Sequence, residues 1–459
     1  IKVENVTRKG YMIFKRKIYE HFLTWKEESG KSALLVEGAR RVGKSTIVEN
    51  FAKKEYRSYI LIDFSVASEE IKTLFTKYIS NLNDFFFFLT SITGTSLYER
   101  ESLIIFDEVQ LFPLARQALK HLVKDQRYDY IETGSLLSIK QNIEGILLPS
   151  EERSIQLFPL DFEEFCWALN RADIPKIIFE HFNMQKALDI LHPTIMKLFR
   201  QYLLVGGMPQ AVAEFLRTSD YVKVDRIKKD ILNLYRNDIT KFAKGYESKV
   251  LSIFDEIPGQ LSKHEKKFSL ASLSKAARFR EYEDAFIWLD EAMIVNICFN
   301  ASDPSPGLSL YKNTLSLKLY MADTGLLLSH AFNESSGMSK EIAKHIVEDK
   351  LEFNHGMIFE NIVAQMLRAK GKKLYFYSRT DTKNHENTME IDFLIYDTTK
   401  TGKISPIEVK SGTRYTINSL TKFSTKFNRK LGKKYLLHTK DLSVKNNILY
   451  LPVYMAICL

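Results

Sequence analysis

Short apolar runs alternate with helical stretches through the first 140 residues of the chain. Four of these runs read SALLVEG, YILIDFS, SLIIFDE and YDYIETGS, and helical patterns separate them. Runs of this length and character are typical of strands that are buried inside a sheet. Their alternation with helices predicts a parallel sheet covered by helices.

The pattern changes twice after residue 160. It is almost wholly helical from about 160 to 260. Residues 265–325 then predict two short helices, with Ser269 and Ser272 as N-caps, followed by strands. This order is typical of a helix-turn-helix with a wing, although helix pairs of this length are also frequent in ordinary packing. The last block, from about 345, predicts helix, three strands, helix and strand.

The first strand leads into GARRVGKS, which fits the phosphate-loop pattern with Gly38, Gly43, Lys44 and Ser45. Glycines let backbone N–H groups approach phosphates, Lys44 reaches the β and γ oxygens, and the Ser45 hydroxyl ligates Mg²⁺. The helix that begins there directs the positive end of its dipole toward the phosphates. The pattern therefore predicts ATP as ligand. The remaining expected nucleotide contacts in this loop are Arg41, Val42 and Thr46.

Two acidic residues follow the apolar run LIIF, namely Asp107 and Glu108. Asp107 suits a second-shell ligand of Mg²⁺, and Glu108 suits the base that polarises the attacking water. The next strand ends in ETGS, where Thr133 or Ser135 could sense the γ-phosphate or could simply cap a helix. Arg153 could contact phosphate in its own chain or in a neighbouring subunit. Two alternatives for that arginine are Arg116 and Arg127.

The positive charge is concentrated near one end of the sequence. The net charge is +10, and residues 402–440 alone carry ten Lys and Arg against one acid, Glu408. A concentrated basic face is typical of a protein that binds a phosphate backbone, although a solvated lysine-rich helix would look the same. The three cysteines form no CxxC pair, and no run of eighteen apolar residues occurs. We therefore expect a cytoplasmic protein that does not enter a membrane.

The last block places Glu360 in a helix, Asp392 on one strand, and Glu408 with Lys410 on the next. Asp392 and Glu408 could bind a second divalent cation together with the carbonyl of Val409. Lys410 would orient a water and stabilise charge on a phosphate, and Glu360 would approach from the helix. The order αβββαβ, with these residues in place, resembles the PD-(D/E)XK nuclease fold. A fold does not guarantee its chemistry, so cleavage stays open.

Six phrases carry a wider resemblance: LLVEGARRVGKS, IIFDEVQLFP, IETGS, LFPLDFEEF, YLLVGGMPQAV and KLYMADTGLL. In this order they resemble the prokaryotic AAA-type ATPases of the AAA+ superfamily that carry a C-terminal domain of uncharacterised function. The resemblance runs from about residue 8 to 440. Relatives more often have glutamine at the position of Arg41, and they can have threonine at Ser45. Nucleotide binding is expected with either residue at both positions.

The resemblance implies an α/β protein with a P-loop NTPase parallel sheet, a helical lid, a winged-helix-like middle segment and a nuclease-like C-terminal domain. The corresponding boundaries are 1–155, 156–220, 221–340 and 341–459. The expected activity is Mg²⁺-dependent ATP hydrolysis, acting on nucleic acid, with DNA favoured; a homo-oligomer is compatible with this class. The alternative is a nucleotide-dependent switch or binding module without cleavage activity.

Overall fold

The chain divides into two compact units, residues 1–158 with 291–293, and residues 159–290 with 294–459. The computed structural model describes residues 12–28, 30–134, 150–263, 266–275, 277–332, 339–348, 355–381, 388–397, 402–412 and 414–459. Among the helices of these residues, none is both long and apolar enough to cross a membrane. Ser135 lies outside the described residues.

The first unit contains five strands and five helices in the part that the structure describes. The strands are Ala33–Glu37 (β1), Ser58–Asp63 (β2), Ser102–Asp107 (β3), Asp129–Gly134 (β4) and Glu152–Gln156 (β5). The helices are Ile18–Glu27 (α1), Lys44–Glu55 (α2), Glu69–Lys77 (α3), Leu82–Thr93 (α4) and Pro113–Asp125 (α5).

All five strands run parallel, in the spatial order β2-β3-β4-β1-β5. Apolar side chains are buried on both faces of this sheet: α2 packs with Ile47 and Phe51 on one face, and α5 with Leu119 and Leu122 on the other. The predicted parallel sheet covered by helices is therefore observed. Because parallel strands end at the same edge, the carboxyl ends of β1, β3 and β4 lie side by side.

The second unit begins with helices and continues as a mixed sheet with helices. Its helices are Phe162–Ala168 (α6), Asp173–Met184 (α7), His192–Val205 (α8), Pro209–Thr218 (α9), Tyr221–Phe242 (α10), Glu247–Ser262 (α11), Phe279–Glu291 (α12), Thr324–Ala331 (α13), Lys340–Val347 (α14), His355–Ala369 (α15) and Asn418–Lys426 (α16). Its strands are Val295–Ala301 (β6), Lys312–Met321 (β7), Leu374–Arg379 (β8), Met389–Tyr396 (β9), Ile404–Val409 (β10), Lys434–His438 (β11), Ser443–Lys445 (β12) and Ile448–Pro452 (β13).

The strands expected for the middle segment belong to the same sheet as those of the C-terminal block. The spatial order is β12-β13-β11-β10-β9-β8-β6-β7, and β6 pairs in parallel with β8 through Cys298–Leu374 and Phe299–Tyr375. This differs from the expected division at residue 340. The pairing joins segments about 75 residues apart, and such register is set by tertiary packing that no local pattern shows.

The two helices expected near residue 270 are also only partly present. Residues 270–272 form a single 3₁₀ turn, and Ser269 makes no side-chain capping hydrogen bond there. The Ser272 hydroxyl instead donates to the carbonyl O of Ser269 and accepts a hydrogen bond from Gln260 on α11. Ser272, which the sequence suggested as a helix N-cap, therefore connects this turn to α11.

A buried polar hub joins three of the phrases singled out in the sequence. The Asp323 carboxylate accepts hydrogen bonds from the N–H of Gly207 at 2.6 Å and of Leu326 at 2.8 Å, so it caps α13. A Cβ on Gly207 would lie 2.1 Å from the carbonyl O of Leu160, and one on Gly206 would lie 2.3 Å from Asp323 Oδ1. Gly207 is required because the backbone at Leu160 approaches too closely for any side chain, and Gly206 because its Cβ would collide with the Asp323 carboxylate.

Replacing Asp323 with alanine should lower the free energy of unfolding by roughly 3 kcal/mol, because two buried N–H groups lose their acceptor. Asp220→Ala is the matched control. Asp220 caps α10 by accepting from the N–H of Val222 at 2.9 Å, but at a partly exposed position, so we expect a loss of about 1 kcal/mol. Urea unfolding followed by circular dichroism compares the two. Equal losses would contradict a structural role for the hub.

Candidate functional site

The loop between β1 and α2 is shaped by backbone conformations that favour glycine. Gly43 has a φ of 99°, and Arg41 adopts a left-handed φ of 69°. A Cβ on Gly38 would lie 2.5 Å from the carbonyl O of Leu157, so no side chain fits there. Since α2 begins at Lys44, its first N–H groups have no partner within the helix and lie beside the loop.

Lys44 and Ser45 are held at the start of α2 by specific contacts. Lys44 is buried, and its Nζ donates to the carbonyl oxygens of Gly38 at 2.9 Å and Ala39 at 3.2 Å. The Ser45 hydroxyl donates to Asp107 Oδ1 at 2.7 Å, from the first turn of α2 to the end of β3. The loop is thus connected directly to the acidic end of β3.

Thr133 connects the two acidic residues at the end of β3. Its hydroxyl donates to Asp107 Oδ1, and it accepts a hydrogen bond from the N–H of Glu108 at 3.4 Å. Burial raises the pKa of Asp107, while the hydrogen bonds from Thr133 and Ser45 oppose that shift. Glu108 turns the chain with a left-handed φ of 53°, is half-buried, and accepts a hydrogen bond from Gln110.

The other expected loop contacts differ in exposure. Val42 is fully buried, Arg41 is exposed, and Thr46 is half-buried. The side chain of Val42 packs in the apolar layer with Ile47 and Phe51, so it attaches the loop to the core. Its backbone N–H donates to the carbonyl O of Ala39 at 3.3 Å, which closes the turn.

The structure does not bring the three candidate arginines to this loop. Arg153 lies in register with Leu34, near the start of β1, and pairs with Glu28. Arg116 makes two hydrogen bonds to Glu152, at 2.8 and 2.7 Å. Arg127 pairs with Asp125 and precedes β4, so it lies at the opposite edge of the sheet. A phosphate contact from Arg153 in the same chain is not supported by this geometry, and a contact in a neighbouring subunit stays a prediction.

The four polar residues predicted in the C-terminal block do converge. Lys410 Nζ lies 2.6 Å from Glu408 Oε1, and the N–H of Val409 donates to Asp392 Oδ2 at 2.8 Å. Glu360, on α15, accepts a hydrogen bond from the Tyr320 hydroxyl at 3.1 Å. These side chains meet because α15 lies against β7 and β10, and because β9 and β10 are neighbours in the sheet.

A lysine that the sequence reasoning missed lies at the centre of these carboxylates. Lys318, on β7, is 1% exposed. Its Nζ lies 2.7 Å from Glu390 Oε1, 3.4 Å from Asp392 Oδ1 and 3.5 Å from Glu360 Oε2. Lys266 pairs with the other oxygen of Glu360. In the strand pattern LSLKLYM a period of two places Lys318 and Tyr320 on one face, but the pattern does not show which residues lie against that face.

Charge compensation sets the protonation of this cluster. Burial alone would lower the pKa of Lys318, but Tyr320 and the neighbouring carboxylates raise that pKa well above its usual value. Burial likewise opposes ionisation of Glu360, yet Lys318 and Lys266 hold its pKa below the usual range. Burial and the charge of Asp392 raise the pKa of Glu408, against the effect of Lys410.

These residues do not fit a divalent cation in the observed arrangement. Within the described part of the chain, no group of three or more His, Cys, Asp or Glu side chains is placed to hold a metal ion. The N–H of Val409 donates a hydrogen bond to Asp392 Oδ2, so this oxygen already has a partner in the chain. Of the predicted ligands, Glu408 has one buried oxygen, Oε2, without a hydrogen-bond partner. In the observed arrangement Lys318 Nζ lies 3.4 Å from Asp392 Oδ1, so an ammonium group is already paired with one of the two predicted ligands.

The basic segment forms a shorter helix than the sequence suggested. We expected a helix from about 415 to 431, and the structure has α16 followed by a 3₁₀ turn at residues 428–430. Several basic side chains of this segment are exposed to solvent, and they are Arg414, Lys422, Lys426, Arg429 and Lys440. Lys430 instead pairs with Asp303 at 2.7 Å. The positive surface is therefore smaller than the count of charges implies.

Comparison with known proteins supports the class of the first unit. Residues 30–166 match a family model described as an AAA domain. Residues 196–337 and 355–455 match two families described as domains of unknown function, DUF8612 and DUF4143. The AAA match covers the loop, Asp107, Glu108 and Thr133. Together with the parallel sheet, it supports an AAA-type ATPase.

Individual relatives add little beyond this class. The uncharacterized protein MJ1637 of Methanocaldococcus jannaschii is 23% identical over 256 residues, 52% of this chain and 51% of the relative. The chain thus spans about half the length of that curated relative. A solved structure of the ORC1 protein of Aeropyrum pernix in complex with DNA matches at 9% identity and a TM-score of 0.30, covering 74% of this chain and 93% of that one. A likeness this distant carries no argument about function.

Proposed function

We propose that the protein binds ATP with Mg²⁺ in its first unit, hydrolyses it there, and uses its second unit to bind nucleic acid under control of the nucleotide state. One observation carries the ATPase part. The start of the loop helix is joined to the end of β3 and β4 by an unbroken set of contacts, from Ser45 through Asp107 to Thr133 and the N–H of Glu108.

The residues have distinct roles in this proposal. The N–H groups at the start of α2 and the Lys44 ammonium bind the phosphate oxygens. Ser45 and Asp107 fit the chemistry of Mg²⁺, which prefers oxygen ligands and, when bound, supplies positive charge to the phosphates. Glu108 orients and deprotonates the attacking water, and Thr133 positions Glu108 and Asp107 relative to each other.

Substitutions at the loop and at the base should separate binding from hydrolysis. Lys44→Ala should lose ATP binding, because the buried ammonium is then missing from the phosphate site. Glu108→Gln should bind ATP as the wild type does and hydrolyse it at least about 100-fold more slowly. Binding is measured with a fluorescent ATP analogue and turnover by phosphate release.

The matched control for these variants is Lys54→Ala, since Lys54 is an exposed lysine near the end of the same helix. It should change neither measurement. Near-wild-type turnover by Glu108→Gln would overturn its assignment as the base. ATP binding by Lys44→Ala as tight as that of the wild type would overturn the nucleotide site.

The nucleic-acid part of the proposal rests on charge. Exposed basic side chains concentrate between Arg414 and Lys440, and two of them, Lys422 and Lys426, lie one turn apart on α16. Such a surface attracts a phosphate backbone and releases counterions when it binds. We favour DNA, and the alternative is a protein partner with an acidic face.

Charge reversal on α16 tests this surface. Lys422→Glu with Lys426→Glu should weaken binding to a DNA duplex and reduce the slope of log affinity against log salt by roughly 1–2. The measurement is fluorescence anisotropy across a salt series. Lys176→Glu with Lys197→Glu, two exposed lysines on α7 and α8, is the control of equal charge change. Equal effects of the two double variants, or affinity that does not depend on salt, would contradict the surface.

A further inference from the structure

The carboxylate cluster of the second unit already contains its own cations. Four carboxylates meet there, from Glu360, Glu390, Asp392 and Glu408, and three ammonium groups lie within ion-pair distance of them, from Lys266, Lys318 and Lys410. Most of the negative charge that would attract a divalent cation is thus compensated by the chain itself. Buried charges are stable only when they are paired in this way.

The position of Lys318 makes it the central cation of the cluster. Its Nζ contacts carboxylates from two elements, Glu360 on α15 and both Glu390 and Asp392 on β9, at 2.7–3.5 Å. The lysine is fixed at its base, because β7 pairs with β6 and Cys298 is the partner of Lys318 in that register. It also lies over the Phe376 ring, with Nζ 5.1 Å from the ring centroid. The ammonium group is therefore shielded from solvent.

A divalent cation at this place would have to displace the lysine. Such a cation needs several oxygens at about 2.0–2.6 Å, and Lys318 Nζ already lies 3.4 Å from Asp392 Oδ1, one of the two predicted ligands, and 3.5 Å from Glu360 Oε2. A metal and an ammonium that share these carboxylates would repel each other in a poorly solvated place. The lysine would then be left buried without its counter-charges, which is strongly unfavourable.

We infer that Lys318 is a resident cation that takes the place of a divalent metal, so that the C-terminal module binds its partner without metal-dependent cleavage. This rests on the proposed function only in naming nucleic acid as the partner. The ion pairs of the cluster then hold β7, β9 and α15 together. Lys410, which pairs with Glu408 in the manner of a catalytic lysine, completes the charge balance instead of activating water.

Manganese binding without nucleotide tests the inference independently of ATP hydrolysis. The probe is MnCl₂ alone, and the readout is the loss of the free Mn²⁺ signal in electron paramagnetic resonance. Wild type and Asp392→Ala should give the same Mn²⁺ binding, because the wild-type cluster holds no metal. A wild-type Mn²⁺ site that Asp392→Ala removes would overturn the inference. This comparison needs no variant at Lys318.

Removing the lysine should create the site that the wild type lacks. Lys318→Ala should bind Mn²⁺ at least about tenfold more tightly than the wild type, a difference of about 1.4 kcal/mol. Adding Asp392→Ala should abolish the gain, and Lys318→Arg, which keeps the charge, should show none. Circular dichroism identifies variants that fold. A folded Lys318→Ala that gains no Mn²⁺ site would contradict the assignment of the lysine as the group that excludes metal.

These outcomes are separate from those of the proposed function. If the wild type fails to hydrolyse ATP or to bind DNA, the Mn²⁺ comparison is unchanged, because it contains neither. Conversely, an Asp392-dependent Mn²⁺ site would leave the ATPase assignment intact and would restore a metal-dependent nuclease as the better account of the second unit.

Discussion

The burial of the Lys318 ammonium is the constraint on which the second unit depends. A lysine with 1% exposure is stable only if carboxylates surround it. Those carboxylates come from α15 and β9, which are far apart from β7 in the sequence. Satisfying one buried charge therefore fixes the helix and strands relative to each other. It also ties the strand pair β6–β7 to the rest of the sheet.

In the first unit a buried charged group is stabilised by different partners. Asp107 is buried, but hydroxyl groups and not a lysine lie against it, from Ser45 and Thr133. A hydroxyl can exchange its hydrogen bond for a metal ion at little cost, whereas a paired ammonium cannot. Two acidic clusters in one chain, each suggestive of a metal site in the sequence, therefore differ in the groups that lie against their carboxylates. We propose that the first binds a metal with nucleotide and that the second is neutralised by the chain.

Local patterns were enough to predict the loop, the strand that ends at Asp107 and the parallel sheet, because each is encoded within a few residues. The convergence of Glu360, Asp392 and Glu408 could also be predicted, since their strands and helix follow one another. Lys318 could not, because a lysine in a strand is usually a solvent-facing residue. Nothing local shows that its neighbours are carboxylates.

Non-local pairing accounts for the other differences. The β6–β8 register and the contact of Gly207 with Asp323 join distant segments, so neither follows from periodicity. The contact of Gly207 with Asp323 gives a structural reason for the glycine in VGGMP and for the aspartate in MADTGLL. Arg153 was one of three candidate arginines, and its pairing with Glu28 depends on a strand register that the sequence does not display.

The most direct measurement is anomalous diffraction at the manganese edge from crystals grown with Mn²⁺ and a non-hydrolysable ATP analogue. Both acidic clusters are then examined in the same molecule. The account predicts an anomalous peak beside Ser45 and Asp107 and none among Glu360, Asp392 and Glu408, where density for Lys318 Nζ should lie. A peak between Asp392 and Glu408, with Lys318 displaced, would contradict it.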